Sequence, residues 1–529
     1  MQWWGRGPSA APFALASDSV LDLPERYNVS TLIDAVLQAG NGEKVAIYCG
    51  DGRVTYNDLH SRVCRTGRVL RSLGVAREQR VLLVLNDTPA FPAAFFGAIR
   101  IGAVPVPINP LMRDDDYRHF VEDSGASVVV AEAMYVEKLQ RALRGHPDPV
   151  TTIAVGEPVT GCLPLEGLLA AQESDLAPAS THRDDMAFWL YSGGSTGRPK
   201  GVVHLQHDIP YTCQTYARHV LDIQESDITF GRVLFHAYGL GNCLSFPFSV
   251  GASTVLYPDR PTPPGILKTI QDLRPTLFFS VPTLFNAILN DPASRQFDLS
   301  SIRACISAAE PLPPETWRRW KEAFGQEILD GIGSTEMLHI YCSNRPGVVR
   351  PGSTGKPVPG YDLRRIDYEG HVVSDGSPGI LEVRGDSSAP CYWRQHARSQ
   401  QTMRGEWVVT GDLYRVDEDG FYWYEGRADD MIKVGGEWVS PIEMENALIA
   451  HPSVQEVAVV GISIEGMTRI RAVIVLAPDY RESDELTRAL QDWCKERLQR
   501  YTYPHRVAYV SELPKTTTGK VQRFHLREA

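Results

Sequence analysis

"MAFWLYSGGSTGRPKGVVHL", residues 186–205, sets an apolar run, a donor-rich loop and a second apolar run one after another. Between Tyr191 and Gly201 it places four glycines, three small hydroxyl side chains (Ser192, Ser195, Thr196), Arg198 and Lys200. Glycines let backbone N–H groups come close to a guest, hydroxyls add donors and the lysine adds a point charge, so the guest that suits this loop is a polyphosphate. The order is wrong for a P-loop, which needs G-x-x-x-x-G-K-[ST] with a helix starting at the lysine. Here Pro199 parts Gly197 from Lys200 and "GVVHL" continues as a strand-like run, so a different phosphate-handling fold is expected. The plainer reading of the stretch is a surface turn with a solvated lysine.

At 529 residues the chain is too long for one core, and 43% hydrophobic with 22% charged residues is ordinary for a soluble globular protein of two or more domains. A net charge of −11 without any basic run argues against nucleic acid as partner, although a nucleotide held by a local loop stays open. Nine cysteines without a C-x-x-C pair suit free thiols in a reducing cytosol and give no metal-site spacing. No run of eighteen apolar residues occurs, so no membrane partner is expected. The start, "MQWWGRGPSAAPFALAS", reads better as a loose arm of a cytoplasmic protein than as a signal peptide.

Strand-like runs at 44–49, 80–85 and 126–132 alternate with helical patterns such as Leu59, Val63, Leu70 and Leu73, which favours an α/β architecture with largely parallel sheets. Turn-forming residues crowd 258–265 and 344–360. In "VVTGDLYRVDEDGFYWYEGR" the "DEDG" parts two aromatic or β-branched runs and reads as a hairpin turn. A boundary follows at residue 428. The remaining hundred residues read as a small α+β unit: two strands, "EVAVVGI" and "IRAVIVLA", then a helix capped by Ser483 that sets Leu486, Ala489, Leu490, Trp493, Cys494 and Leu498 on one face. Taken singly, the remaining features have plain readings too. "GIGSTE" (331–336) is a strand-ending turn before a helix capped by Ser334, Asp412 a turn former, Lys520 a solvated surface charge.

Taken in order, "YSGGSTGRPKG", "GIGSTE", "TGDLYRVDEDGFYWYEGRADDMIKVGGEWVSPIEME" and "PKTTTGKVQR" resemble the adenylate-forming superfamily of acyl- and aryl-CoA ligases, luciferases and nonribosomal adenylation domains, from about residue 30 to 527. "LFHAYGLGNCLSFPF" (234–248) and "DGIGSTEMLHIYCSNRPG" (330–347) look like its benzoate-CoA ligase branch. The resemblance implies a large N-terminal multi-subdomain α/β adenylating domain, 1–428, and a small mobile α+β C-terminal domain, 429–529. It implies a two-step reaction: a carboxylate attacks the α-phosphate of MgATP, giving acyl-adenylate and pyrophosphate, and a thiol then expels AMP. It places β- and γ-phosphates on Ser192, Gly193, Gly194, Ser195, Thr196, Gly197 and Lys200, Mg²⁺ on Glu336 beside Thr335, and the adenylation lysine at Lys520. Asp412 would take both ribose hydroxyls, with Arg427 beside the ribose and phosphates. Ala309, Glu310, Pro311, Asp330 and Gly331 would line adenine, and Ile332 stands where an aromatic usually stacks.

In the resembled branch Ala237, Tyr238 and Gly239 form one wall of the acid pocket and His339 and Ile340 the other. Such a slot suits one aromatic ring, benzoate or a hydroxy- or aminobenzoate, better than a fatty chain. His339 also reads as a packing histidine on a helix after "STE", and His236 either closes the channel to the thiol or packs in the core. Asp429 would be the hinge about which the small domain turns, bringing Lys433, Gly435 and Gly436 to the thiol. Thr502 and His505 stand where relatives carry cations, which raises a carrier-protein phosphopantetheine beside CoA as the acceptor. A luciferase-like oxygenase or a non-catalytic nucleotide-binding relative are the readings of another class, and a homodimer stays open.

Overall fold

The apolar runs at either side of the glycine loop pair with each other. Met186–Gly194 and Gly197–Leu205 form a two-stranded antiparallel ribbon in which Ser192 lies opposite Lys200 and Gly194 opposite Gly197. The loop is therefore the tip of a long hairpin rather than a strand-to-helix turn. The computed structural model describes residues 21–194, 197–374, 376–428, 430–434, 437–464, 467–499, 502–515 and 521–527. Ser195, Thr196, Asp429, Gly435, Gly436 and Lys520 lie outside them.

The alternating pattern folds into two parallel sheets. In one, Val104–Pro107, Arg80–Val84, Val128–Glu132, Thr151–Val155 and Leu163–Pro164 run side by side, all parallel. The other has nine strands. Six of them, Ile328–Gly333, Ala304–Ser307, Leu277–Ser280, Ile228–Phe230, Ser253–Leu256 and Val45–Cys49, are parallel, and its edges are antiparallel: Ile340–Ser343 with Lys356–Pro357 on one side, Gly52–Thr55 on the other. Parallel sheets are buried on both faces. Accordingly the helix Tyr56–Ser72, started by a Thr55–Asp58 capping box, buries Leu59, Val63 and Leu70 against this core.

A third, antiparallel sheet follows: Asp362–Ile366, Gly379–Arg384, Trp407–Val416 and Tyr422–Arg427, with Met403–Arg404 at its edge. "DEDG" is its last turn, with Asp417 Oδ1 accepting from the N–H of Asp419 and of Phe421. Among the described residues no strand beyond Arg427 pairs with one before it. The small domain has a hairpin, Ile432–Val434 with Glu437–Val439, and a sheet in which Val454–Ile464 and Met467–Leu476 are antiparallel and Arg506–Tyr509 joins in parallel. Its helix Asp484–Arg497 is capped as expected, Ser483 Oγ accepting from Leu486 N, and it buries Leu490 and Cys494. All nine cysteines are free thiols. No described helix is long and apolar enough to cross a membrane.

Candidate active site

Lys200 leaves the ribbon toward a turn that three contacts fix. Strand Ile328–Gly333 ends in a single 3₁₀ turn, Thr335–Met337, with Ser334 Oγ accepting from Met337 N. Leu338 then takes φ +64°, which no helix continues through, so His339 is not on a helix as the sequence pattern suggested. Behind the turn, His204 Nε2 lies 2.9 Å from Thr335 O while its Nδ1 lies 2.8 Å from Asp208 Oδ2, both side chains fully buried. In front, Tyr392 donates its hydroxyl to Glu336 Oε1 at 2.7 Å, and Ala389 N–H donates to Glu336 O at 2.7 Å. Lys200 Nζ sits 3.9 Å from that same Oε1 and 4.3 Å from the centre of the Tyr392 ring, with only 13% of its side chain exposed. Burial pulls the Lys200 ammonium pKa down, Glu336 opposes that, and Arg398 and Arg427 push it further down.

Asp412 and Arg427 face each other across neighbouring strands, Arg427 Nη1 lying 3.2 Å from Asp412 Oδ1 and donating to Thr410 O at 2.8 Å. Gly411, next to Asp412 in the strand, takes φ +75°, a conformation that favours glycine. Burial holds the Tyr341 hydroxyl, which has no hydrogen-bond partner among the described residues, well above its usual range; the charges of Asp412 and Glu336 add to that and Arg427 opposes it. After the strand Ala304–Ser307, Ala309 takes φ +75° and Glu310 Oε2 accepts from Thr283 Oγ1 at 2.8 Å, with Pro311 next in the chain. Asp330 is buried with Oδ1 unpartnered, and burial holds its carboxyl well above the usual carboxylate range. Gly331 admits no side chain, a Cβ coming 2.9 Å from Cys342 O, and half-buried Ile332 pairs with Cys342. Non-glycine residues at positive φ cost energy and mark places where geometry matters. Val233, Ala309 and Leu338 are three such residues, one in each segment of this site.

His236 caps the short helix Ala237–Leu240, its Nδ1 accepting from Tyr238 N. Tyr238 donates its hydroxyl to Ile306 O at 3.1 Å and to Ser280 O at 3.3 Å, both at the ends of central strands. Gly239 is packed so closely that a Cβ would meet Arg232 O at 2.1 Å. The two expected walls do meet: the His339 ring lies 5.7 Å from Tyr238, 5.3 Å from Tyr216 and 4.5 Å, edge-on, from Phe246. His339 Nε2 is 3.2 Å from Asn242 Oδ1, whereas His339 Nδ1 and Asn242 Nδ2 are buried without partners. Ile340, beginning its strand, is 1% exposed. The sequence reading had left His339 as either ligand or packing residue. The ring is packed, and it also holds an open acceptor.

Burial lowers the pKa of His339 from 6.5 to about 3, the Tyr238 carbonyl opposing it and His236 adding to it. The unfolded chain therefore takes up a proton between these values that the folded one refuses, so stability falls as pH drops from 6.5 toward 3. His339→Asn should flatten that acid limb, read as urea midpoints at pH 7 and pH 5 for both proteins.

Lys433 stands exposed on the strand Ile432–Val434. Thr502 is 3% exposed, while half-buried His505 accepts from Ile470 N at Nδ1 (3.2 Å) and stacks on Tyr503. Tyr392, His204 and Asn242 were missed by the sequence reading. The aromatic pair inside "PCYWRQ" was the available signal for Tyr392, and nothing local marked the other two.

The "AMP-binding enzyme" family pattern matches residues 35–393 and the "AMP-binding enzyme C-terminal domain" pattern residues 443–520. A benzoate-CoA ligase of Thauera aromatica is 44% identical over 514 residues, covering 96% of this chain and 97% of that one. The crystal structure of the anthranilate CoA ligase AuaEII with anthranoyl-AMP superposes with TM-score 0.93 at 40% identity, covering 96% of this chain and 98% of the other. That of a benzoate CoA ligase from Burkholderia xenovorans LB400 does so with TM-score 0.89 at 42% identity, covering 95% and 100%.

Proposed function

The chain belongs to the AMP-binding enzyme family, and from that membership we propose that it is an AMP-forming aryl-CoA ligase acting on benzoate or a hydroxy- or aminobenzoate. The observation that carries the substrate class is the cluster of Tyr216, Tyr238 and Phe246 around His339, three residues after Glu336, which we read as the walls of a slot for a single ring. Relatives named for benzoate and anthranilate support it.

An aryl carboxylate and a polyphosphate repel each other, and the site's residues offset that. Ser192 to Lys200 hold the β- and γ-phosphates with backbone N–H groups, hydroxyls and one cation. Among the described residues Tyr392 and Lys200 both meet the Glu336 carboxylate at Oε1, and Oε2 would be left to the magnesium that accompanies ATP, a hard cation taking oxygen ligands. There such an ion would supply positive charge to offset that of the phosphates. The unpartnered Asp330 Oδ1, beside Gly331 and the Ala309–Pro311 turn, suits a buried adenine, and Asp412 can accept from two ribose hydroxyls at once. Lys520 serves adenylation. With the boundary between 428 and 429, rotation at Asp429 brings Lys433, Gly435 and Gly436 to the thiol, and His236 closes its channel. The acceptor is CoA, a reading supported by relatives named benzoate-CoA and anthranilate CoA ligases. A cytoplasmic location is part of the same reading.

Pyrophosphate release should be measured from MgATP with benzoate, hydroxy- and aminobenzoates, cinnamates and a medium-chain fatty acid, each with and without CoA. The expected result is release with one or more benzoates and AMP formation that depends on CoA. Turnover confined to fatty or cinnamic acids would overturn the slot assignment, and release that CoA does not carry forward would return the acceptor to a carrier protein.

A further inference from the structure

We propose that Asp87 is a positioning residue that sets the wall of the aryl-acid slot from the opposite sheet. It rests on the aryl-acid reading of that slot. Asp87 follows the strand Arg80–Val84 at the carboxyl ends of the first parallel sheet, where ligand-facing residues of such sheets gather. It is 8% exposed, and each carboxylate oxygen takes one backbone donor from the second sheet: Oδ2 from Val233 N–H at 2.7 Å, Oδ1 from Leu234 N–H at 2.9 Å. A buried carboxylate persists only when hydrogen bonds meet it, and these two meet one oxygen each.

The segment so held is strained. Val233 stands at φ +69°, a conformation that a β-branched residue enters only under constraint. Asp87 supplies that constraint. From Val233 the geometry passes directly to the slot: His236 N–H donates to Val233 O at 3.0 Å, and Gly239 lies so near this segment that a Cβ would fall 2.1 Å from Arg232 O and 2.3 Å from Val233 O. Arg232–Leu234 is thus the floor under Ala237, Tyr238 and Gly239. If the floor relaxes, Tyr238 shifts against His339 and the slot changes width. Lys200 and Glu336 are held instead by Tyr392 and Ala389, and Arg427 by Thr410 and Asp412, on other segments.

The test is the split between the two substrates. Asp87→Ala should raise KM for the preferred benzoate about tenfold, since sub-ångström misplacement of a binding wall weakens orientation. KM for MgATP, and its affinity by calorimetry, should stay within about twofold, because one wall is moved and the nucleotide site is not. Asp87→Asn keeps an acceptor for one of the two N–H groups and should lie between, which covers the case in which the alanine protein does not fold. Preference among ring sizes should broaden in the same order. A benzoate KM unchanged in both variants would overturn the proposal, and so would KM values for acid and MgATP that rise together with a falling Tm, the sign of a general structural role. A wild-type protein inert to every aryl acid would remove the functional reading and this one with it. A wild-type protein active on benzoates beside variants equal to it would remove only the role of Asp87.

Discussion

Glu336→Gln should slow pyrophosphate release with a benzoate by about 10²–10³-fold, the usual cost of losing one preorganised charge at a phosphoryl centre. The substitution changes little else. The amide oxygen can still accept from Tyr392, which now donates to Oε1 at 2.7 Å, and the backbone of the turn stays fixed through Ala389, Ser334 and His204. What disappears is the negative charge 3.9 Å from Lys200. Without it the Lys200 ammonium, already disfavoured by burial, loses the counter-charge of Glu336, and a divalent cation would lose its carboxylate. MgATP affinity should weaken in parallel, while affinity for the aryl acid should stay near that of the wild type. Tyr392→Phe separates the two contributions. It keeps the ring on which Lys200 rests and removes only the phenolic donor, so its loss should be about tenfold, that of one hydrogen bond to a charged group. Full activity in Glu336→Gln would show that the carboxylate serves neither cation.

Much of the architecture is readable because its local rules agree. The 3.6-residue spacing of Leu59, Val63 and Leu70, the Ser483 cap and the Asp417–Gly420 turn each follow from chemistry within a few residues, and each forms as expected. The expectation that failed is local as well. Ser334 is a true N-cap, yet its helix stops after one turn because Leu338 turns to positive φ and sends His339 inward against Phe246. A cap marks a start and says nothing of length. What the sequence could not disclose are pairings made across the fold. Asp87 meets Val233 146 positions away, and Tyr392 meets Glu336 56 positions away. Neither carboxylate nor phenol carries a local mark of its partner. Asp87 had a positional one, as the polar residue just beyond an apolar strand of a parallel sheet.

Lys520→Ala should divide the reaction in two. Adenylate formation should fall about 10²–10³-fold, because this lysine is assigned to the charge that builds as carboxylate meets α-phosphate. Thioester formation from synthetic aryl-AMP and CoA should stay close to wild type. That step brings a thiol to a mixed anhydride whose pyrophosphate has already left, so the charge the lysine offsets is gone. The described residues on either side of the lysine tie its segment to the small domain. Lys515 and Val521 form an antiparallel bridge, Lys515 Nζ lies 2.7 Å from Glu456, and Arg523 Nη2 donates to both oxygens of Glu445 at 2.6 and 2.7 Å. Arg527 pairs with Asp430, next to the assigned hinge. On the proposed reading the segment that carries Lys520 would turn with the small domain, so presenting Lys433 would withdraw Lys520. Lys433→Ala should accordingly show the reverse pattern, slowing thioester formation and sparing pyrophosphate release. Loss of both steps in Lys520→Ala would mean that one geometry serves the whole reaction, and loss of neither would return Lys520 to a solvated surface charge.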